Sequence, residues 1–337
     1  MSRLSLGVAT QSLRLAQPFR ISGYVFESAD VLVVTLDDDV HRGRGEGAGA
    51  YYLGDDLAHM RAEIERTRGA IEAGPTREQL RTILPPGGAR NAVDAAMWEL
   101  EAARAGQPVW QLAGLDTPPR AIVTTFTVSA DTPAAMAAMA TGYVGAKSLK
   151  VKLTGELDLD LARVAAIRAA RPDVWLGVDG NQGFARHDLD ALVTGLVRYD
   201  VSLLEQPLAR GHDADLEGFR SAIPIAGDES LLSLADLATA TGRFDVVNIK
   251  LDKCGGLTEG LLMAAEARRL GLGVMVGTMI GTSLATAPAF VLGQIADLVD
   301  LDGPTFLAQD HIPSVVYADG TLHAGPDVWG AGAALAA

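Results

Sequence analysis

The 337-residue chain has one cysteine, Cys254, so it cannot form an internal disulfide. A disulfide-stabilised secreted framework is therefore excluded, and a lone thiol is typical of a protein from a reducing cytoplasm. No apolar run approaches the roughly 20 residues needed to span a bilayer. The opening residues, MSRLSLGVATQSLRL, are too polar for a secretory signal peptide. We therefore expect a cytoplasmic protein that does not enter the membrane.

Positive charge is also scarce. The chain has 28 Lys and Arg against 42 Asp and Glu, which gives a formal net charge of −14. This excess opposes binding to nucleic acid and to anionic lipid, and no Lys/Arg-rich run offers a local exception. A hydrophobic content of 48% with 21% charged residues is that of a folded protein. A small molecule is the expected ligand.

Strand-like and helix-like segments alternate from about residue 120 onwards, as in LARVAAIRAARP, and this predicts parallel βα units. Polar residues close eight successive apolar runs: Thr127, Lys152, Asp179, Glu205, Asp228, Lys250, Thr278 and Asp300. Eight strands at a near-constant interval predict a closed barrel, whose functional groups gather at the carboxyl ends of the strands. An open doubly wound sheet is the alternative, but no glycine-rich dinucleotide-binding sequence follows the first strand.

Three successive strand ends carry carboxylates: Asp179, Glu205 and Asp228. Neighbouring strands lie roughly 5 Å apart, so these side chains should converge and repel one another. A hard divalent cation relieves that repulsion, and Mg²⁺ suits a few carboxylates with positions left for water or substrate. The absence of His and Cys from these ends argues against zinc. Taken singly, each acid could instead cap a helix or form a loop salt bridge.

Two lysines share one face of the strand SLKVKL, Lys150 and Lys152, and Lys250 ends a strand roughly across the barrel mouth. Near a metal and a second ammonium the pKa of a lysine should fall, which makes it a usable base. One lysine would remove the proton next to a metal-bound carboxylate and the other would return it on the opposite face. Alternatively, the lysines only pair with the three acids. Lys253 lies at an odd spacing from Lys250 and is expected to be structural.

The motifs KVK, VDGNQ, LEQP, GDES and NIKLDKCGGLTEG, in this order, closely resemble the enolase superfamily and its muconate-lactonizing-like subgroup over nearly the full chain. The resemblance implies an α/β fold, a modified (β/α)7β TIM-like barrel (116–319) under an α+β cap (1–115, completed by the tail 320–337). It implies that the three carboxylates bind one Mg²⁺ per subunit and that Lys152 and Lys250 are the acid/base catalysts. Lys150 would contact the substrate carboxylate, and subunits would form homo-oligomers.

The segment DLDGPTFLA resembles the DxD motif of dipeptide epimerases, which bind the free amino terminus of the dipeptide there. Asp300 and Asp302 lie on one face, and two carboxylates suit an ammonium group; alternatively, they only form a turn before Gly303. Together with GARN, this segment is similar to bacterial L-Ala-D/L-Glu epimerases, which implies inversion of the C-terminal α-carbon and a link to cell wall peptides. Thr127 in FTVS and Thr278 in GTMIG lie where that group contacts its substrate, so the resemblance implies that they are substrate contacts.

The cap loop PFRISGYVFESAD should contact the substrate side chain. Ala-Glu epimerases tend to place an arginine a few residues after PF, whereas the only arginine here, Arg20, comes early. Either Arg20 substitutes or the second residue is not Glu. Phe19, Tyr24 and Phe26 could line an apolar pocket, which makes Tyr24 a candidate substrate contact. Gly281, where the family often has Glu, is expected to leave a small opening near the substrate.

Other functions stay open at this point. On the same scaffold the chain could be an N-acyl amino acid racemase, an o-succinylbenzoate synthase or a muconate cycloisomerase, whose substrates lack a free ammonium. A barrel lysine could also serve a Schiff-base aldolase. A further alternative is a dipeptide-binding protein without catalysis, in which a metal only orders the ligand.

Overall fold

The N-terminal part of the chain forms an antiparallel sheet with helices on one side in the computed structural model, which describes residues 4–21 and 23–331. The elements are β1 (Ser5–Ile21), β2 (Tyr24–Asp37), β3 (Arg42–Gly47), α1 (Leu57–Glu72), α2 (Arg77–Ile83), α3 (Gly88–Ala105) and α4 (Val109–Leu112). Alternate residues of β2, Leu32, Val34 and Leu36, bury in one core with side chains of α1 and α3.

Glycines explain how closely α3 packs on β3. In the stretch RGRGEG, a Cβ at Gly43, Gly45 or Gly47 would lie 2.0–2.2 Å from a backbone oxygen of α3. Side chains at these alternate positions would push the helix away, so the glycines allow direct contact between helix and strand backbones.

The predicted cap loop is the tip of a β-hairpin, so the expectation of a loop is wrong. β1 and β2 pair from Ser5↔Asp37 to Ile21↔Tyr24, with a register irregularity between Arg14 and Phe19. Side chains alternate between the two faces of paired strands. One face of the tip therefore carries Phe19 and its partner Phe26. The other face carries Arg20 and its partner Val25.

Eight parallel strands follow in the order predicted from the polar strand ends, which confirms the fold class. They are β5 (Thr125–Val128), β6 (Ser148–Lys152), β7 (Trp175–Asp179), β8 (Leu203–Glu205), β9 (Ile225–Gly227), β10 (Val246–Lys250), β11 (Gly273–Gly277) and β12 (Leu298–Asp300). Each strand closes within one residue of its predicted polar residue. The backbone N–H of Leu301 donates to the Thr124 hydroxyl (2.9 Å), which joins the last strand to the first.

The connecting helices cover the outside of this sheet. They are α5 (Pro133–Gly142), α6 (Leu157–Ala170), α7 (Leu189–Arg198), α8 (Leu237–Ala240), α9 (Leu251–Cys254), α10 (Leu257–Arg269) and α11 (Ser283–Gly293). A small sheet of β4 (Ile122–Val123), β13 (Val316–Ala318) and β14 (Thr321–His323) also forms. Across the described ranges, no helix has the length and apolar character to cross a membrane.

The C-terminal segment returns to the N-terminal sheet and helices. The Trp329 indole donates to the Arg44 carbonyl (3.0 Å), and the Gly330 N–H donates to Glu99 Oε1 (3.1 Å). The division into a cap of residues 1–115 with 320–337 and a barrel of residues 116–319 stays a prediction. Residues 332–337 of that tail lie outside the described residues.

Glu46, on β3, links the antiparallel sheet to the barrel. It is 1% exposed. Its carboxylate accepts hydrogen bonds from the Thr282 N–H (2.8 Å) and the Thr282 hydroxyl, at the start of α11. Burial raises the pKa of Glu46 to about 7, although the two hydrogen bonds from Thr282 act in the opposite direction.

We expect Glu46 to make the free energy of unfolding fall as the pH rises from its ordinary pKa, 4.5, to about 7. In this window the folded protein binds more protons than the unfolded chain, so stability is lost on the order of 3 kcal/mol. Glu46→Gln removes the titrating group. Urea unfolding of both proteins at about pH 5 and about pH 8 measures the difference. Equal pH dependence in the two proteins would contradict this assignment.

Candidate active site

Three buried carboxylates meet at the carboxyl ends of β7, β8 and β9. Asp179 pairs in register with Glu205, and Asp228 follows the neighbouring strand directly. One oxygen from each lies within 4.8 Å of the others, and all three side chains are at most 1% exposed. The Oε2 atom of Glu205 accepts no hydrogen bond from the described residues, although the Lys150 ammonium lies 3.2 Å from it. Three buried carboxylates that converge in this way suit a cation with oxygen ligands.

The pKa values of two members of this cluster shift in opposite directions. Burial raises the pKa of Glu205 to about 7, and the Asp179 carboxylate acts in the same direction. Burial also acts to raise the pKa of Asp228, but Lys250 and Lys253 outweigh it and hold that pKa well below its ordinary value. Lys150 acts to lower the pKa of Glu205 but does not outweigh burial and Asp179. The cluster can therefore accept further positive charge.

Lysines from opposite sides of the barrel reach the outer members of the cluster. Lys152 Nζ lies 2.7 Å from Asp179 Oδ2, and Lys250 Nζ lies 2.6 Å from Asp228 Oδ2. Their strands, β6 and β10, are separated by four steps around an eight-stranded barrel. The ion pairs between the lysines and the acids, which were predicted as an alternative to catalysis, are thus present. Both lysines also line the cavity above the acids, where they are accessible to a ligand.

Carboxylates hold the pKa of two of the lysines high, and the fall expected beside a metal stays a prediction. Burial lowers the pKa of Lys250, but Asp228, Glu205 and other carboxylates hold it well above its ordinary value. The same holds for Lys150, where Asp300 is the largest opposing influence. Carboxylates are the nearest charged neighbours of both ammonium groups, Asp300 for Lys150 and Asp228 for Lys250. A cation on those carboxylates opposes this effect.

Asp300 ends β12 and Asp302 lies two residues further along the chain, but the two carboxylates have different hydrogen-bond partners. Asp300 accepts hydrogen bonds from the Lys150 ammonium and the Thr125 hydroxyl. Asp302 Oδ2 accepts one from the Thr127 N–H (2.6 Å), and its carbonyl accepts the Thr305 N–H in a turn. Burial raises the pKa of Asp302 to about 7, and Asp300 adds to the effect. The structure therefore contains both features that the sequence offered as alternatives, a pair of buried acids and a turn at Asp302.

A cavity of about 400 Å³ lies between these strand ends and the N-terminal hairpin. Most of the predicted site residues line it: Thr127, Lys150, Lys152, Asp228, Lys250, Thr278, Asp300 and Asp302. Asp179 and Glu205 lie beneath its floor. Tyr24 is 47% exposed and packs on Phe26 from outside the cavity lining. The opening expected beside Gly281 is not there, because a Cβ at that position would lie 2.9 Å from Glu46 Oε1.

Two polar residues that hold the acid cluster were not predicted to do so. Lys253, 1% exposed, donates to Asp228 Oδ1 and to the Asp228 carbonyl, both at 2.5 Å. Asn248 donates to Glu205 Oε1 at 2.7 Å. The spacing argument for Lys253 assumed that the strand continues, but α9 begins at Leu251 and turns the lysine back. Asn248 lies two residues before Lys250 on the same strand and so shares its face. This spacing in the sequence could have predicted that Asn248 belongs to the site.

Glu229 is a third unpredicted residue of the site. It follows Asp228, is 1% exposed and lines the cavity. Its Oε2 atom has no hydrogen-bond partner among the described residues, and Asn181 Nδ2 lies 3.4 Å from Oε1. Burial raises the pKa of Glu229 to about 8, and Asp228 adds to it. Because the Glu229 carboxyl lines the cavity and its Oε2 atom is free of hydrogen bonds within the described chain, it can contact a ligand bound there.

A barrel with three clustered strand-end carboxylates and two facing lysines defines a barrel enzyme of the enolase type. The chain belongs to the mandelate racemase / muconate lactonizing enzyme family: residues 4–114 match the N-terminal domain of that family, and residues 134–336 match the enolase C-terminal domain-like model.

Similar proteins agree with this membership. The chain is 42% identical to an L-Ala-D/L-Glu epimerase of Escherichia coli (strain K12), over 92% of this chain and 96% of that one. An enolase family member from Agrobacterium tumefaciens with homology to dipeptide epimerases, solved with sodium and L-Ala-L-Glu, is 39% identical with a TM-score of 0.92, covering 97% of this chain and 100% of that one.

A second solved structure extends the comparison. The dipeptide epimerase of Enterococcus faecalis V583, complexed with Mg and L-Leu-L-Tyr, is 28% identical. Its TM-score is 0.88, over 96% of this chain and 98% of that one.

Proposed function

We propose that this protein is a Mg²⁺-dependent dipeptide epimerase, an isomerase that inverts the α-carbon of the C-terminal residue by proton transfer between two lysines. The observation that carries the proposal is the position of Lys152 and Lys250 on opposite sides of one cavity, each next to the acid cluster. Relatives over most of the chain are dipeptide epimerases, which supports this reaction among those that the fold hosts.

The residues that would hold the Mg²⁺ ion are Asp179, Glu205 and Asp228. Their fit rests on their burial and on the approach of three carboxylate oxygens, the ligand type that Mg²⁺ prefers. When bound there, the ion neutralises a substrate carboxylate and so makes the adjacent α-proton more acidic. Lys253 and Asn248 keep the ligand side chains in place from below.

The two lysines divide the proton transfer between the two faces of the substrate. One removes the α-proton in its neutral form, and the other, as an ammonium, donates a proton to the opposite face. Both side chains are less than a tenth exposed, which keeps bulk water from the α-carbon. Lys150, which also lines the cavity, would bind the substrate carboxylate.

The two acids at the carboxyl end of β12 would bind the free ammonium of the dipeptide. Asp302 and Asp300 line the cavity beside Thr127. Asp300 already pairs with Lys150, whereas the Asp302 carboxylate contacts Thr127 and forms no ion pair among the described residues. Asp302 is therefore the stronger candidate for the ammonium. Thr127 and Thr278 would contact the peptide between the two ends.

Asp302→Asn is expected to raise KM for a dipeptide by 10-fold or more, roughly the worth of one charge-assisted hydrogen bond. The same variant should leave KM unchanged, within about 2-fold, for the N-acetylated form of that dipeptide, which lacks the ammonium. Steady-state kinetics of both substrates make the comparison. An equal rise for both substrates would assign Asp302 a structural role.

The proposed function is tested by incubating the protein and Mg²⁺ with a panel of L,L-dipeptides and separating the diastereomers chromatographically. Appearance of the L,D form, and its conversion back, is the expected result. Dipeptides left unchanged while N-acyl amino acids racemise would favour the N-acyl amino acid branch, whose substrates have no use for Asp302. A borohydride-trapped adduct on Lys152 or Lys250 would instead indicate Schiff-base chemistry.

The proposal also includes the cellular location and the oligomeric state of the protein. The single cysteine supports a cytoplasmic location, and the family resemblance supports a homo-oligomer. Size-exclusion chromatography with light scattering tests the second, and a monomeric mass would reject it.

A further inference from the structure

We propose that the C-terminal residue of the substrate has an apolar side chain that packs on an aromatic wall formed by Phe19, Phe26, Tyr51 and Phe306. This inference rests on the proposed function and names the substrate class of the same site. All four rings line the cavity.

The position of the reacting carbon determines where the side chain must go. Once the α-proton has left, the carbon is planar, with one lysine on each face. Its carboxylate points to the acid cluster and Lys150, and its nitrogen leads to the N-terminal residue beside Asp302. The remaining in-plane direction leads out of the barrel mouth, towards the N-terminal hairpin. The substrate side chain therefore meets the hairpin and the segment after β3.

The rings form one continuous surface in that direction. Phe19 and Phe306 have centroids 4.8 Å apart, which joins the hairpin to the segment after β12. Phe26 and Tyr51 are 5.2 Å apart in an edge-to-face arrangement. Phe19 and Phe26 are paired across the hairpin at 6.4 Å. Burying an apolar side chain against such a surface stabilises the bound substrate.

The hairpin register keeps its arginine away from the cavity. Arg20 pairs with Val25, and both lie on the face opposite the Phe19–Phe26 pair. Arg20 is exposed, and its carbonyl accepts the Ala130 N–H. Arg210 influences Tyr52 but is also outside the lining. Apart from the three lysines of the reaction centre, no basic side chain among the described residues lines the cavity.

Acids also line the cavity, and two of them are engaged within the chain. Asp55 accepts the Gly88 N–H and pairs with His59, and Asp56 caps α1 through the His59 N–H. The rings therefore supply the apolar surface of the cavity, beside which Asp30 and Glu229 also line it. Their charges still repel a substrate carboxylate. A glutamate side chain would thus lose its hydration without gaining a cation.

The first test compares kcat/KM for L-Ala-L-Leu, L-Ala-L-Phe, L-Ala-L-Glu and L-Ala-L-Lys. We expect the two apolar peptides to exceed the acidic peptide by 10- to 100-fold, and to exceed the lysine peptide as well. Preference for L-Ala-L-Glu or for L-Ala-L-Lys would overturn the inference, yet it would leave the proposed epimerase function intact. Failure of every dipeptide would reject the function itself.

A matched pair of variants tests the wall. Phe26→Arg adds a cation to the cavity face of the hairpin, and Val25→Arg adds the same charge to the opposite face, where Val25 is 61% exposed. Phe26→Arg is expected to raise kcat/KM for L-Ala-L-Glu by at least 10-fold and to lower that for L-Ala-L-Leu.

Val25→Arg should change neither value, and its far-ultraviolet circular dichroism should match that of Phe26→Arg. Equal effects of the two variants would contradict the assigned faces. If Phe26→Arg fails to fold, Phe19→Ala serves instead, with an expected selective loss for L-Ala-L-Phe. An equal loss for all four peptides would then overturn the inference.

Discussion

Lys250→Met is expected to lower the rate of epimerisation by roughly 10²- to 10⁴-fold, because the substitution removes one of the two groups that carry the proton. Methionine keeps the length of the side chain and its packing beside Asp228 but has no ammonium. Exchange of the α-proton with solvent deuterium should survive for the one epimer whose proton points to Lys152. Mass spectrometry of each diastereomer in D₂O measures the two exchange rates separately.

The reciprocal variant makes this expectation specific. Lys152→Met should abolish exchange from the epimer that survives in Lys250→Met and retain the other. Lys147→Met, an exposed lysine just before β6, is the matched control and should leave both rates unchanged. Equal loss of both exchange reactions in both variants would contradict the assignment of one lysine to each face.

Chelation by EDTA is expected to abolish epimerisation, and added Mg²⁺ should restore it. Three buried carboxylate oxygens within 4.8 Å of one another would hold a divalent cation with oxygen ligands. A substrate carboxylate adds a further negative charge at this site, and the cation would supply the positive charge that offsets it. Full turnover in EDTA would contradict the proposed use of the cluster.

Binding of Mg²⁺ can be measured without turnover. In isothermal titration, Glu205→Gln should bind the ion at least 10-fold more weakly, because it removes a ligand charge beneath the cavity floor. Asp190→Asn, a carboxylate with 81% of its side chain exposed on α7, should bind as the unaltered protein does. Equal affinities for the two variants would place the ion elsewhere.

The barrel and its acid cluster were predictable because their signals are local. A parallel strand buried on both faces gives a short apolar run, and the polar residue that ends it marks the mouth of the barrel. Asp179, Glu205 and Lys250 all occupy the last position of their strands, so position in sequence translates directly into position in space. Three neighbouring strands with an acid at the end then predict a cluster.

Other features depend on contacts that sequence spacing does not encode. Lys253 reaches Asp228 only because a helix begins at Leu251, one residue after the strand ends. Lys150 pairs with Asp300, 150 residues away. The sequence had predicted that Lys150 binds the substrate carboxylate and that Asp300 binds the substrate ammonium. The faces of Phe19 and Arg20 depend on the hairpin register, which a loop would not have. Spacing identified these side chains as candidates, and tertiary pairing determines what each one contacts.

The most direct test of the account is the site of deuterium incorporation in an apolar dipeptide. L-Ala-L-Leu is incubated with the protein and Mg²⁺ in D₂O and followed by proton nuclear magnetic resonance. We predict loss of the leucine α-proton signal, appearance of L-Ala-D-Leu, and an unchanged alanine α-proton signal. Exchange at the alanine α-carbon, or L-Ala-D-Leu formed without deuterium, would contradict proton transfer at the C-terminal residue.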